Sequence, residues 1–276
     1  MERVVETWAT MKQTLPEFVE VFRAAFRGIP QLVLETTPAE NDDVGMLVIE
    51  LMMASMPDFD DIMLLCSKDR HWGALKLLRC LFERTVTLKY IAQNPTEAQA
   101  FLAFDAMDWR PIMSGIEERF GIKVKPETLE RIEAAVKDLR EKFRQEPCAA
   151  CGMRKQTNWT PRSSQELAKK VGLEHLHFEA FLLPSKFIHP TYFGTRLVSK
   201  EGPAPLPNIL KATHALAVET LLTHQRFFKG DPLASSLVRE AVLGFFRVWK
   251  YADSDFGLGK DSERVRLKYV PRDQGR

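Results

Sequence analysis

The segment from about Asp69 to Gln93 constrains the fold most, because its apolar residues recur at spacings of three and four and nearly encircle it. Taking Leu75 as reference at about 100° per residue, Trp72, Leu78, Phe82, Val86 and Tyr90 fall within about 60° of it. Leu77, Leu81, Leu88 and Ala74 cover the adjoining side, leaving a narrow polar strip around Lys76, Arg84 and Thr87. A helix this apolar is stable in water only when other helices enclose it. The pattern therefore predicts a central, mostly buried helix in an all-α bundle, stopped by Asn94-Pro95.

The rest of the chain follows the same period. Short helices are expected near 3–14 and 16–27, with Gly28 as the stop of the second. A third, 39–55, ends before Pro57, and a short piece follows over 58–67. The next begins at Thr96-Glu97, is kinked or broken by Pro111 and closes at Gly121. Leu129, Ile132, Val136, Leu139 and Phe143 form one stripe of an exposed helix over 126–145, and 147–162 reads as a loop. Ser163-Ser164-Gln165-Glu166 resembles a capping box for a short helix ended by Gly172. A helix over 174–189 is interrupted by Pro184. Gly202, Pro203, Pro205 and Pro207 make 199–207 a loop, and helices at 208–229 and 233–251 complete the chain. About nine helices in a single bundle domain, 1–256, with a basic tail over 257–276, is the expected organisation.

Composition sets outer limits on function. The 276 residues are 45% hydrophobic and 28% charged, enough apolar material for a core. The net charge of +2 argues against a surface built to coat a polyanion. Lys260, Arg264, Arg266, Lys268, Arg272 and Arg276 make the tail basic; solvation of a chain end is its simplest reading, an RNA-contacting arm the alternative. No stretch is apolar for the roughly 18 residues a span requires, so no membrane partner is expected. The start, Met1-Glu2-Arg3-Val4-Val5-Glu6, leads into no apolar signal core, and the 4 cysteines are too few for a disulfide scaffold. Both point to a cytoplasmic chain.

A few polar residues sit where the pattern calls for apolar ones. Arg79 lies at about +40° in the core arc of the 69–93 helix and Glu83 at about +80° on its edge. Desolvating a lone charge costs several kcal/mol, so Arg79 needs a partner, and the i,i+4 spacing supplies Glu83. The pair is either a buried device that fixes register or one wall of a pocket for a phosphate or carboxylate. Ser185 and His189 share a face of the 174–189 helix, beside Lys186 and shortly before Tyr192, and a histidine at a helix end is a candidate general base. His214 falls mid-face among Leu210, Val218, Leu221 and Phe228. Arg79, Glu83 and His189, with Ser185, Lys186, Tyr192 and His214 as ligand-binding residues, form the candidate site.

The run Leu77-Leu78-Arg79-Cys80-Leu81-Phe82-Glu83, with Tyr90, Trp159 and Ser185-x-x-x-His189-Pro190, resembles the bacterial family catalogued as domain of unknown function 5677, over roughly residues 40 to 230. The resemblance implies an all-helical fold and no established activity. More distantly, a polar residue four before a helix-end histidine is similar to the HEPN superfamily of helical RNases and nucleotide-binding domains, whose motif is Arg-x4-6-His. That likeness implies RNA or a nucleotide as partner, His189 as acid/base residue, Arg79 stabilising phosphorane charge, and a place in stress response or defence. This sequence has Ser185 where the motif has arginine, and Lys186 is the nearest cation. The rival expectation is a non-catalytic interaction protein, self-associating as a homo-oligomer, with Arg79 and Glu83 as a structural pair.

Other signals carry less. Cys148-x-x-Cys151 with His175 and His177 sketches a zinc site, but the spacing is not that of a finger and no second C-x-x-C occurs, so no metal is assigned. Glu174-x-x-His177 is a lone match to the two motifs a di-iron bundle needs. Phosphate-loop and dinucleotide fingerprints are absent, as is G-x-S-x-G, and no cofactor is expected. Phe245, Phe246 and Trp249 at helical spacing read as packing residues.

Overall fold

The computed structural model describes residues 16–39, 42–121, 123, 125–130, 133–134, 159–188 and 206–249. Among these residues the regular elements are all helical, so the fold is all-α. In chain order they are α1 (Pro16–Leu34), α2 (Asp43–Ser67), α3 (His71–Gln93), a 3-10 turn (Pro95–Glu97), α4 (Ala98–Phe120), α5 (Ser164–Lys170), α6 (Glu174–His177), a π-helical turn (Phe178–Leu182), α7 (Leu183–Ile188), α8 (Leu206–Lys229) and α9 (Ser236–Val248). The expected 3–14 helix, most of the 126–145 helix and the basic tail lie outside the described residues, while 126–130 and 133–134 are helical. No helix among the described residues is long and apolar enough to cross a membrane.

The chain groups into two compact units, Met1–Gln93 with Ser164–Arg276, and Asn94–Ser163. In the smaller unit, Trp159 packs edge-on against Phe101 with ring centroids 5.3 Å apart, and Arg162 reaches Glu97 at 3.4 Å. In the larger unit, α2 and α3 form a helical hairpin across Lys68–Arg70, and α8 packs on α3, α2 and α1. α9 lies against α1 and α8, while α7 and the π-helical turn lie on α3.

The most enclosed element is α8, where every residue from Ala212 to Gln225 is buried. α3 is less enclosed than its pattern predicts, since Lys76 and Glu83 are exposed. α8 escapes prediction as the central helix because Thr213, His214, Glu219, Thr220, Thr223, His224 and Gln225 interrupt its apolar residues. Many of these polar groups find partners inside. The Glu219 carboxylate accepts from Lys89 Nζ at 2.7 Å, with both side chains at 3% exposure or less. Thr220 Oγ1 lies 3.5 Å from Thr85 Oγ1, and Trp249 Nε1–H donates to His214 Nδ1 at 3.1 Å.

Prolines expected to end helices instead lie inside them. α2 runs through Pro57, α1 passes Gly28 and Pro30, and α4 continues across residue 111. An internal proline loses one backbone hydrogen bond and crowds the carbonyl four residues back. Pro57 and Met53 are both exposed, so water can take up the carbonyl of Met53. Gly28 does not stop α1 but allows close packing: a Cβ there would meet Leu237 Cδ2 at 2.5 Å and Leu221 Cδ2 at 3.0 Å. Pro184 has a different accommodation. The helical path from Glu174 to Ile188 is continuous, and its middle turn widens, with Leu183 N–H donating to Phe178 O. That i→i−5 bond marks the π-helical turn, placed where Pro184 would otherwise crowd the carbonyl of Ala180. At the other end, Leu206 and Pro207 belong to α8 rather than to the preceding loop, because proline is tolerated in a first helical turn.

Candidate functional site

α3 supplies Arg79 and Glu83 one turn apart, and the π-helical turn lays an aromatic surface against them. Arg79 Nε lies 3.4 Å from Glu83 Oε2, the i,i+4 partner that the spacing predicts. The side chains are 20% and 46% exposed, so the pair is half-open to solvent rather than buried. The guanidinium carbon sits 4.7 Å from the centre of the Phe181 ring, a cation–π contact. Arg79 Nε, itself buried, has no hydrogen-bond partner among the described residues. One arginine is thus held by a ring and a carboxylate.

His177 completes the cluster. Its imidazole stacks on Phe181 with centroids 5.0 Å apart and planes 26° from parallel, and Phe82 of α3 backs both rings at about 6 Å. Burial lowers the His177 pKa, which favours the neutral imidazole at pH 7. Its Nε2 lies 3.5 Å from Ser164 Oγ at the start of α5. Phe178 and Leu182, on the stripe beside His177 and Phe181, are 61% and 41% exposed. Cys80, next to Arg79, is no nucleophile at neutral pH: burial and then the Glu83 carboxylate raise its thiol pKa, against the opposing pull of Arg79.

The other expected site residues scatter. Ser185 Oγ donates to Phe181 O at 2.5 Å, tying its proton to the backbone one turn back. Lys186 is exposed on α7. His189 and Tyr192 follow α7 and lie outside the described residues. His214 is a core residue, packed at 4.7 Å from Phe22 and 5.0 Å from Phe245, and burial lowers its pKa to about 3. Cys148 and Cys151 also lie outside the described residues, among which no group of three or more histidine, cysteine, aspartate or glutamate side chains could hold a metal ion.

Two polar features escape the sequence reading. Lys89 lies at about −40° on the same wheel, inside the core arc, so the argument applied to Arg79 would have found it. His177 appears in the sequence only as a possible metal ligand, and nothing local marks it as a stacking residue beside Arg79. Phe181 brings the two together only once the π-helical turn packs on α3.

The model of a family described as a family of unknown function (DUF5677) matches residues 45–203. No curated protein and no solved structure matches the chain.

Proposed function

We propose that this chain, which belongs to the DUF5677 family of unknown function, handles RNA or a nucleotide through a site centred on Arg79. The supporting observation is the mounting of the guanidinium: it rests on Phe181 and beside Glu83, yet its Nε makes no hydrogen bond among the described residues. A planar fork of donors held this way suits one phosphate group. In the HEPN-like form of this reading, His189 is the acid/base residue and Arg79 stabilises the charge that develops on phosphorus. Lys186 and Tyr192 contact the ligand. Ser185, its proton engaged, offers only an acceptor. A cytoplasmic role in stress or defence belongs with this reading.

RNA cleavage by the purified chain, followed on a labelled single strand, tests the catalytic form. His189→Ala is expected to abolish cleavage without moving the thermal midpoint. Cleavage that persists in His189→Ala would reject His189 as the acid/base residue.

The exposed Phe178, Leu182 and Ile188 favour a second reading, a non-catalytic protein that self-associates through this helical face. A sedimentation profile that stays monomeric at high concentration would dismiss it.

A further inference from the structure

Phe178 has no part in the chemistry above, yet it is 61% exposed and follows directly on the His177–Phe181 stack. A large ring is normally turned inward. Here the π-helical turn sets its direction. With i→i+5 bonding, residues four to five apart share a stripe, so Phe178 and Leu182 form one stripe and His177 and Phe181 the adjacent one. The inner stripe is spent on α3, where Phe181 meets Phe82 and Arg79. The outer stripe presents an aromatic face and an aliphatic edge to solvent, next to the inner one that holds a cation.

We infer that this surface is a subsite for one unpaired nucleotide, its base stacked on Phe178 and its phosphate paired with Arg79. The inference rests on the RNA or nucleotide reading above and narrows it to single strands, because a base inside a duplex cannot offer its face to a side chain. Charge complementarity selects this occupant over an apolar protein surface, which would leave the guanidinium unmatched. Glu83 competes with the phosphate for Arg79, so the subsite carries a built-in restraint on affinity. The chain's net charge of +2 fits contact with one phosphate rather than many.

The test is fluorescence anisotropy of the full-length protein with a labelled single-stranded adenylate decamer, and with a duplex RNA of equal length. Base stacking of about 1–3 kcal/mol predicts that Phe178→Ala weakens binding by about 5- to 150-fold. Arg79→Gln should weaken it, whereas Glu83→Gln should tighten it, a gain that a purely structural Glu83 would not give. With one phosphate engaged, log K should fall against log salt with a slope of about −0.7. The duplex should bind more weakly than the single strand. No binding of either RNA by the unmodified protein would overturn the RNA reading and the subsite with it. Binding that Phe178→Ala leaves unchanged would overturn the subsite alone. A steep salt slope, or a change of oligomeric state in Phe178→Ala without an effect on RNA, would also overturn the subsite.

Discussion

Arg79 and Lys89 show at the residue scale how one sequence argument has two structural outcomes. Both basic residues fall in the apolar arc of α3, yet Arg79 is 20% exposed beside Glu83, while Lys89 is 3% exposed and bonded to Glu219 at 2.7 Å. A pair as open as Arg79–Glu83 contributes about 1 kcal/mol or less. Arg79→Ala should therefore leave the urea midpoint nearly unmoved, which makes ligand binding at Arg79 cleanly testable. Lys89–Glu219 carries the structural consequence instead. Lys89→Met strands a buried carboxylate and should destabilise by about 3–5 kcal/mol in urea unfolding, and adding Glu219→Leu should recover most of the loss. A single variant no less stable than the parent would contradict the buried pairing.

At the scale of elements, packing overrides residues that ordinarily stop helices. Gly28 was expected to end α1 and instead lets α1 approach Leu221 of α8 and Leu237 of α9. Helix propensity alone would make Gly28→Ala stabilising by about 1 kcal/mol. A methyl placed 2.5 Å from Leu237 Cδ2 must displace that side chain, and overpacking of this kind costs about 1–3 kcal/mol. The steric effect should win. Gly28→Ala is expected to lower the thermal midpoint, and a rise would show that Leu237 swings aside freely. The sequence shows that Pro57 and Pro184 penalise a helix but not what offsets the penalty, which here is solvation of one carbonyl and a widened turn.

For the whole molecule, the polar interior sets the response to acid. Burial lowers the pKa of His214 to about 3, and burial with nearby Lys229 lowers that of His224 to about 4. Thr36 Oγ1 donates to Leu32 O, so His224 Nε2–H donates to Thr36, and His224 Nδ1 faces Gln225 Nε2 at 3.3 Å. His214 Nδ1 accepts from Trp249. Both rings are thus held neutral. Once the unfolded chain begins to bind protons that the folded chain refuses, below about pH 6.5, stability falls with pH until each folded pKa is reached. Between pH 7 and pH 5 each ring should account for about 2 kcal/mol of loss. Unfolding measured at both values should show it, with a shallower slope in His214→Leu; equal stability at pH 7 and pH 5 would refute the neutral burial of both rings.

Period alone determined the fold class, the span of α3 and the Arg79–Glu83 pairing, because those properties depend on neighbours within one or two turns. Tertiary structure decided that α8 is the most enclosed helix, that Lys89 meets Glu219 across 130 positions, and that Phe181 joins Arg79 to His177. Polar groups on α8 look like surface until partners on α3, α1 and beyond α9 satisfy them, and a single helix cannot specify those partners. The candidate site was legible in the same measure: its cation and carboxylate follow from spacing on one helix, its aromatic half from the packing of two.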